Sequence, residues 1–152
     1  MSEIVYRYAQ VGDISAIVAF QLAMALETEQ VTLDPATCLK GVTAVFEVPS
    51  HGRYFVAENG AGEVVASLLI TYEWSDWRNG LVWWIQSVYV IPAERGKGVF
   101  AGLYGHIKQQ ADADQNVRGL RLYADRRNTG AQQVYTRLGM DGGHYVVFEA
   151  MK

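Results

Sequence analysis

Residues 94–100 read Glu-Arg-Gly-Lys-Gly-Val-Phe, two glycines and two cations in one turn of chain between a β-branched stretch and a helical one. A tight turn with a solvated charge would account for such a stretch taken alone. Together, however, these residue types offer anion binding. The N–H groups of a glycine-rich loop at a helix N-terminus hold a phosphate or pyrophosphate without any particular side chain, and Arg95 and Lys97 add charge to the same place. Glycine at 96 and 98 lets the backbone come close to a ligand, a need that a plain turn does not have.

Two better-known phosphate signatures fit less well. A Walker loop needs two glycines four residues apart followed by Lys-Ser or Lys-Thr, and the chain has none. Gly96, Gly98 and Ala101 satisfy a loose dinucleotide fingerprint, with Asp125 near the end of the next strand where a ribose-binding acid belongs. Residues 91–95 intervene between that strand and the first glycine, and only 27 residues (152 − 125) follow Asp125, too few to complete a doubly wound sheet. Dinucleotide binding therefore stands as a lesser alternative. His51, His106 and His144 have no metal-ligand spacing among themselves or with Cys38, so no metal is expected. The single cysteine also excludes an intramolecular disulfide.

The elements that would position this loop follow from periodicity. A strand is expected at 4–8, then a helix over 12–29 that Asp13 can cap, then a second helix opening at Pro35 behind Asp34. Strands at 53–59, 63–74 and 81–91, joined by glycine-containing turns at 60–62 and 78–80, predict an antiparallel meander. Next come a helix at 98–113 with Val99, Leu103, His106 and Ile107 on one face, a short strand at 119–124, a helix at 129–140 with Asn128 near its start and Gly139 as its stop, and a final strand within 142–151. The layout is α/β with a mixed sheet. Adjacent Trp83 and Trp84 in one strand should send one ring to the core and the other outward.

The whole-chain figures set the class. A chain of 152 residues, half hydrophobic, about a fifth charged and with net charge −3 predicts one soluble globular domain, 1–152, and argues against nucleic acid as a partner. The longest apolar run, 81–85, is far short of the ~18 residues of a membrane span, and the first ten residues lack the layout of a signal peptide. No membrane association and a cytoplasmic location are expected.

The stretch from Val88 to Tyr104 resembles the GCN5-related N-acetyltransferase (GNAT) superfamily, whose pattern is a strand, a proline, and Arg/Gln-x-x-Gly-x-Gly/Ala opening a helix. Arg95 and Gly98 fall on the first two fixed positions, and Phe100 stands where a small residue is usual, with Ala101 beside it. Asn128, Ala131, Tyr135 and Gly139 match the superfamily's late motif, with Met140 in place of the usual aromatic. The resemblance is specific over residues 81–140. It implies a central, mostly antiparallel sheet flanked by helices. It also implies transfer of an acetyl group from acetyl-CoA to a primary amine by direct attack in a ternary complex, without a metal. The acceptor would be a small-molecule or peptide amine, and because edge strands in this superfamily often pair, a homodimer is compatible with it.

By the same resemblance, the main chain of Val88, Tyr89 and Val90 would pair with pantetheine and the acetyl oxygen. Arg95, Gly96, Lys97, Gly98, Val99, Phe100 and Ala101 would hold the pyrophosphate, and Asn128 would contact the cofactor's arm. Tyr135 would be the general acid, since a phenol with an ordinary pKa near 10 stays protonated at neutral pH and can donate to a departing thiolate. Many members carry a glutamate on the central strand where this chain has Gln86. Glu73 and Asp76 are the nearest carboxylates, with Glu73 the candidate base, and loss of the amine's proton through ordered water is the other route. Glu27 and Glu29 would attract a cationic amine. Trp74, Trp77 and Trp84 are candidates for lining the acceptor pocket. Cys38 lies far from both motifs in sequence, against a covalent acyl-enzyme. The rival from another class is a non-catalytic acyl-CoA-binding module.

Overall fold

The structure is a computed structural model and describes residues 3–152. The chain forms two compact units, one running to Arg121 and the other Leu122–Lys152. The first contains β1 (Val5–Tyr8), α1 (Ile14–Glu29), α2 (Pro35–Glu47), β2 (Arg53–Glu58), β3 (Val64–Ser75), β4 (Gly80–Val90), α3 (Val99–Ala113) and β5 (Val117–Arg121). Its sheet runs β1-β2-β3-β4-β5, antiparallel throughout except for the parallel pair β4–β5. The expected meander is present, with β1 added on its outer edge. β5 begins two residues and ends three residues earlier than its sequence suggests, because its extent is set by pairing with Leu81–Trp84.

Strand alternation gives the sheet two faces, and each is covered. On one, Tyr54 and Val56 of β2 pack with Ile17 of α1 and Val42 of α2, with Leu69 and Cys38 beside them. On the other, Phe55 meets His106 of α3 edge-on at 6.0 Å between ring centroids, and Leu103 and Ile107 of α3 are fully buried. Both faces being covered explains Trp83 and Trp84. They point to opposite faces as expected, but both are half-buried, since neither face is simply core or solvent.

The helix starts show what local sequence decides. Asp34 caps α2, its Oδ2 accepting the Thr37 N–H at 3.0 Å and the Thr37 hydroxyl at 2.6 Å, with Pro35 at the first helical position. Asp13 does not cap α1. Its carboxylate accepts from both terminal nitrogens of Arg7, at 2.8 and 3.1 Å, and from the Gln10 N–H at 2.7 Å, while Arg7 also reaches Glu58 at 3.1 Å. A bidentate guanidinium is the stronger partner for a nearly buried carboxylate. Hydrogen bonding to Arg7 outweighs burial and holds the Asp13 carboxyl below its ordinary 3.8. A depressed folded pKa means this contribution is complete above the unfolded value and is lost as pH falls through the folded one. Asp13→Asn is expected to cost about 2 kcal/mol at pH 7 and to lose less stability than wild type on acidification. Urea melts at pH 7 and pH 3 check both.

Val11–Glu29 is long and apolar enough to cross a membrane by length and composition. In the structure α1 packs against the sheet through one side, where Ile17, Phe20, Gln21 and Ala25 are buried.

In the second unit, α4 (Thr129–Arg137) is capped by Asn128, whose Oδ1 accepts the Ala131 N–H at 3.1 Å. It ends where Gly139 takes φ +91°, with the Met140 N–H returning to the Tyr135 carbonyl at 3.1 Å. The final strand expected within 142–151 is not formed. Those residues have no regular structure, and Tyr145, Val146, Val147 and Phe148 are exposed. Alternation marks a segment as suited to an edge, but a strand exists only where an edge pairs with it.

Candidate active site

β4 departs from regular geometry at Ser87, where φ is +55°. Leu69 pairs with Gln86 and Ser67 with Tyr89, so β4 carries one more residue than β3 across this interval, a β-bulge. The left-handed backbone costs a serine about 1 kcal/mol. Its effect is a change of parity: Gln86 and Tyr89 both face α1, where strict alternation would have given Gln86 and Val88.

The same stretch loses its neighbour. Pairing between β4 and β5 ends at Trp84 with Arg121, while β4 runs on to Val90, so no strand covers its outer edge from Ile85 onward among the described residues. The Ile91 N–H donates to Val65 O at 3.0 Å, which turns the peptide groups of residues 89 and 91 toward β3 and those of Val88 and Val90 toward the open edge. The Val90 carbonyl accepts there from Arg95 Nε at 2.9 Å. The Val88 peptide groups and the Val90 N–H thus face this edge, a geometry suited to an extended amide-bearing ligand, while the Val90 carbonyl is taken by Arg95.

β4 leads into the glycine loop. Gly96 and Gly98 take φ +74° and +78°, conformations that L-residues with a Cβ rarely adopt, and nothing lies within 4 Å of where a Cβ would stand on either. Glycine is required here by backbone conformation, and the space around it is open to a ligand. Gly98 caps α3, and the first bond of that helix is from Gly102 N–H to Gly98 O at 3.0 Å. The N–H groups of Val99, Phe100 and Ala101 precede that bond and form the positive end of the helix. Phe100 packs its ring along the helix against Tyr104, at 6.3 Å between centroids, so its bulk runs along α3. Lys97 pairs with Glu94 at 3.7 Å. Backbone N–H groups at a helix start of this geometry are able to hold a phosphate or pyrophosphate.

The α1-facing side of β3 and β4 gathers polar groups in two sets. Arg95 Nη2 lies 2.9 Å from Glu27 Oε2, and the Tyr89 hydroxyl donates to Glu27 Oε1 at 3.2 Å, so the end of α1 is tied to the glycine loop. The hydrogen bond from Arg95 holds the Glu27 carboxyl below its usual range, and burial, aided by Glu27, pushes the Tyr89 phenol up. Arg95 is thus engaged with protein groups on both sides, and Glu29 is exposed at the helix end.

The second set lies where β5 leaves β4. Glu73 Oε1 accepts Trp84 Nε1–H at 2.7 Å and Arg121 Nη1 at 3.0 Å, and Gln86 Nε2 donates to Thr71 Oγ1 at 2.7 Å. The Trp84 hydrogen bond, then Arg121, holds the Glu73 carboxyl below the ordinary carboxylate range. A carboxylate so held binds a proton poorly, which suits fixing Trp84 and Arg121 better than general base chemistry. Arg121 is the residue that sequence reasoning passed over. Its signal lay in register alone, as the last β5 residue paired with β4. Glu73→Gln keeps an acceptor for Trp84 but loses the ion pair, and is expected to raise the acceptor KM several-fold while leaving the acid limb of kcat in place. A base role would instead remove that limb and cost about 10²–10⁴ in rate.

Other candidates lie elsewhere. Trp74 pairs with Leu81 on the α3 face, opposite Trp84, and is 62% exposed. Asp76 and Trp77 are exposed in the β3–β4 turn, at the far end of β4 from the glycine loop. In the second unit, Asn128 Oδ1 is used as the helix cap, and Tyr135 is a half-buried residue of α4 whose phenol is pushed above 10 by burial.

A sequence model of the acetyltransferase (GNAT) family matches residues 21–140. The chain belongs to the GNAT family. Among solved structures it is similar to a possible acetyltransferase from Clostridium difficile 630, at 40% identity and TM-score 0.90, covering 98% of this chain and 97% of that one. An integron cassette protein from the Cole Harbour salt marsh metagenome shares 25% identity at TM-score 0.82, over 97% and 90% of the two chains. A predicted acetyltransferase from Clostridium acetobutylicum, solved with acetyl-CoA, shares the fold at TM-score 0.74 and 19% identity, over 97% and 96%. No curated protein matches the chain. The expected mixed sheet and family are thus established, and with them an acyltransferase in general terms.

Proposed function

We propose that the chain is an acetyl-CoA-dependent N-acetyltransferase that works in the cytoplasm on a small-molecule or peptide primary amine, and that its two units act as one catalytic domain. The observation that carries this reading is the open edge of β4 at Val88 and Val90 running directly into the left-handed glycines at the start of α3. The family match spans residues of both units, which supports their acting together.

Acetyl-CoA, when bound, supplies an activated thioester. The peptide groups of Val88 and Val90 hold its pantetheine arm and polarise the acetyl oxygen, since preorganised N–H groups stabilise a developing oxyanion. N–H groups of the Gly96–Ala101 loop hold the pyrophosphate. The acceptor amine enters from the α1 face, over Trp84 and Gln86, with the Glu27 carboxylate that Arg95 holds as the acid that attracts a cationic amine. The neutral amine forms the C–N bond as the C–S bond breaks, Tyr135 gives its hydroxyl proton to the leaving sulfur, and the proton the amine loses passes to water, from which the Tyr135 hydroxyl is restored.

Direct attack makes both substrates bind before either product leaves. Initial rates varied in acetyl-CoA and amine should give intersecting double-reciprocal lines. Parallel lines, with an acetylated enzyme isolable without acceptor, would overturn direct transfer. A thermal-shift comparison addresses the dinucleotide alternative: stabilisation by acetyl-CoA and none by NAD is expected.

A further inference from the structure

The face of the sheet beneath α3 carries a second cleft, at the opposite end of that helix from the glycine loop. At 1.5 Å per residue the two ends of α3 are about 20 Å apart. The cleft encloses about 600 Å³ between the strands and the turn that follows α3. Tyr8, Tyr72 and Trp83 form its aromatic walls, Phe55 and Ile70 its floor, and Gln110 and Asp114 part of its rim.

One cation faces this cleft. Arg53 Cζ lies over the Tyr8 ring, 3.2 Å from its centroid. Tyr8 is itself fixed, its ring against Phe55 at 4.8 Å and its hydroxyl donating to Gln110 Oε1 at 3.1 Å. No carboxylate pairs with Arg53 among the described residues. A guanidinium held over an aromatic ring still presents its planar fork of N–H donors, and that fork matches a carboxylate in bidentate fashion. The Gln110 amide nitrogen is a further donor on the same rim. Tyr72 and Trp83 stand 6.5 Å apart and tilted at 60°, offering ring surface to a planar body. Asp114 limits the charge of the occupant: one of its oxygens takes the Asn116 N–H at 2.9 Å, and its negative charge disfavours a polyanion.

We propose that this cleft is a second ligand site, for a small aromatic monocarboxylate whose carboxylate sits on Arg53 and whose ring lies against Tyr72 and Trp83. It shares no residue with the acetyl-transfer site and does not depend on that assignment.

The test is an NMR titration of the full chain with indole-3-acetate, following the Trp83 indole N–H, identified by its loss in Trp83→Phe. A saturable shift of that signal is expected, with affinity at least tenfold weaker for the neutral indole-3-ethanol and for Arg53→Gln. Arg53→Gln should keep the wild-type amide spectrum away from the cleft, which shows that it is folded. The analogue comparison needs no variant at all. No saturable change at millimolar indole-3-acetate overturns the proposal, as does equal affinity for the neutral analogue, which would mean an apolar crevice only. Inorganic phosphate binding as tightly as indole-3-acetate overturns the aromatic class.

Discussion

Tyr135→Phe is expected to slow acetyl transfer by about a hundredfold to ten-thousandfold, the range associated with losing a general acid, while acetyl-CoA affinity stays within about twofold. The substitution keeps the ring and removes only the hydroxyl, so a tyrosine present merely for packing would show almost no kinetic change. Burial pushes the Tyr135 phenol above its ordinary 10, so the group stays protonated across the neutral range and holds a proton for a departing thiolate. The sign of that shift gives a second readout. A wild-type rate that requires the protonated phenol falls only at strongly alkaline pH, above 10, and the limb vanishes in the phenylalanine variant. Stopped-flow single-turnover rates across pH separate this from any change in product release.

Gly98→Val should have the larger effect on binding. The space around Gly98 is open, so the cost is conformational: a β-branched residue at φ +78° loses about 1–2 kcal/mol. The chain has two ways to respond. If the turn holds, stability falls by that amount, a drop in Tm of a few degrees for a chain of this size. If it relaxes toward negative φ, the N–H groups at the start of α3 turn away from the pyrophosphate, and acetyl-CoA affinity falls by more than tenfold. Calorimetric titration together with a thermal melt reads both, and unchanged affinity with unchanged Tm would contradict the cradle.

Much of this site is legible in the chain because its signals are local. A proline, an arginine and two glycines before a helical run fix a turn whose backbone must go left-handed, and those residues specify it wherever the fold carries them. Asp34-Pro35 and Gly139 announce helix ends for the same reason. What the sequence did not disclose depends on partners distant along the chain. Asp13 stands where a cap belongs, but Arg7 on β1 takes its carboxylate. Ser87 looks like any strand residue, and only the register against β3 reveals the bulge that puts Gln86 and Tyr89 on one face. Arg121 carries no motif and meets Glu73 solely because β5 pairs with β4 up to that point, and its ion pair with Glu73 is invisible in the sequence. The alternation at 144–148 is real, but alternation is only a statement about faces, and no edge in the described residues completes it as a strand.

The central claim is acetyl transfer from CoA at the open edge of β4 and the glycine loop, and release of CoA thiol tests it most directly. Purified protein is incubated with acetyl-CoA and a panel of primary amines, including polyamines, amino acids, aminoglycosides and peptide N-termini, while free thiol and acetylated acceptor are both quantified. The account predicts thiol release that depends on at least one amine, equals the acetamide formed, and collapses in Tyr135→Phe. Tight acetyl-CoA binding with no amine-dependent thiol release, the same in wild type and Tyr135→Phe, would contradict it and leave an acyl-CoA-binding module.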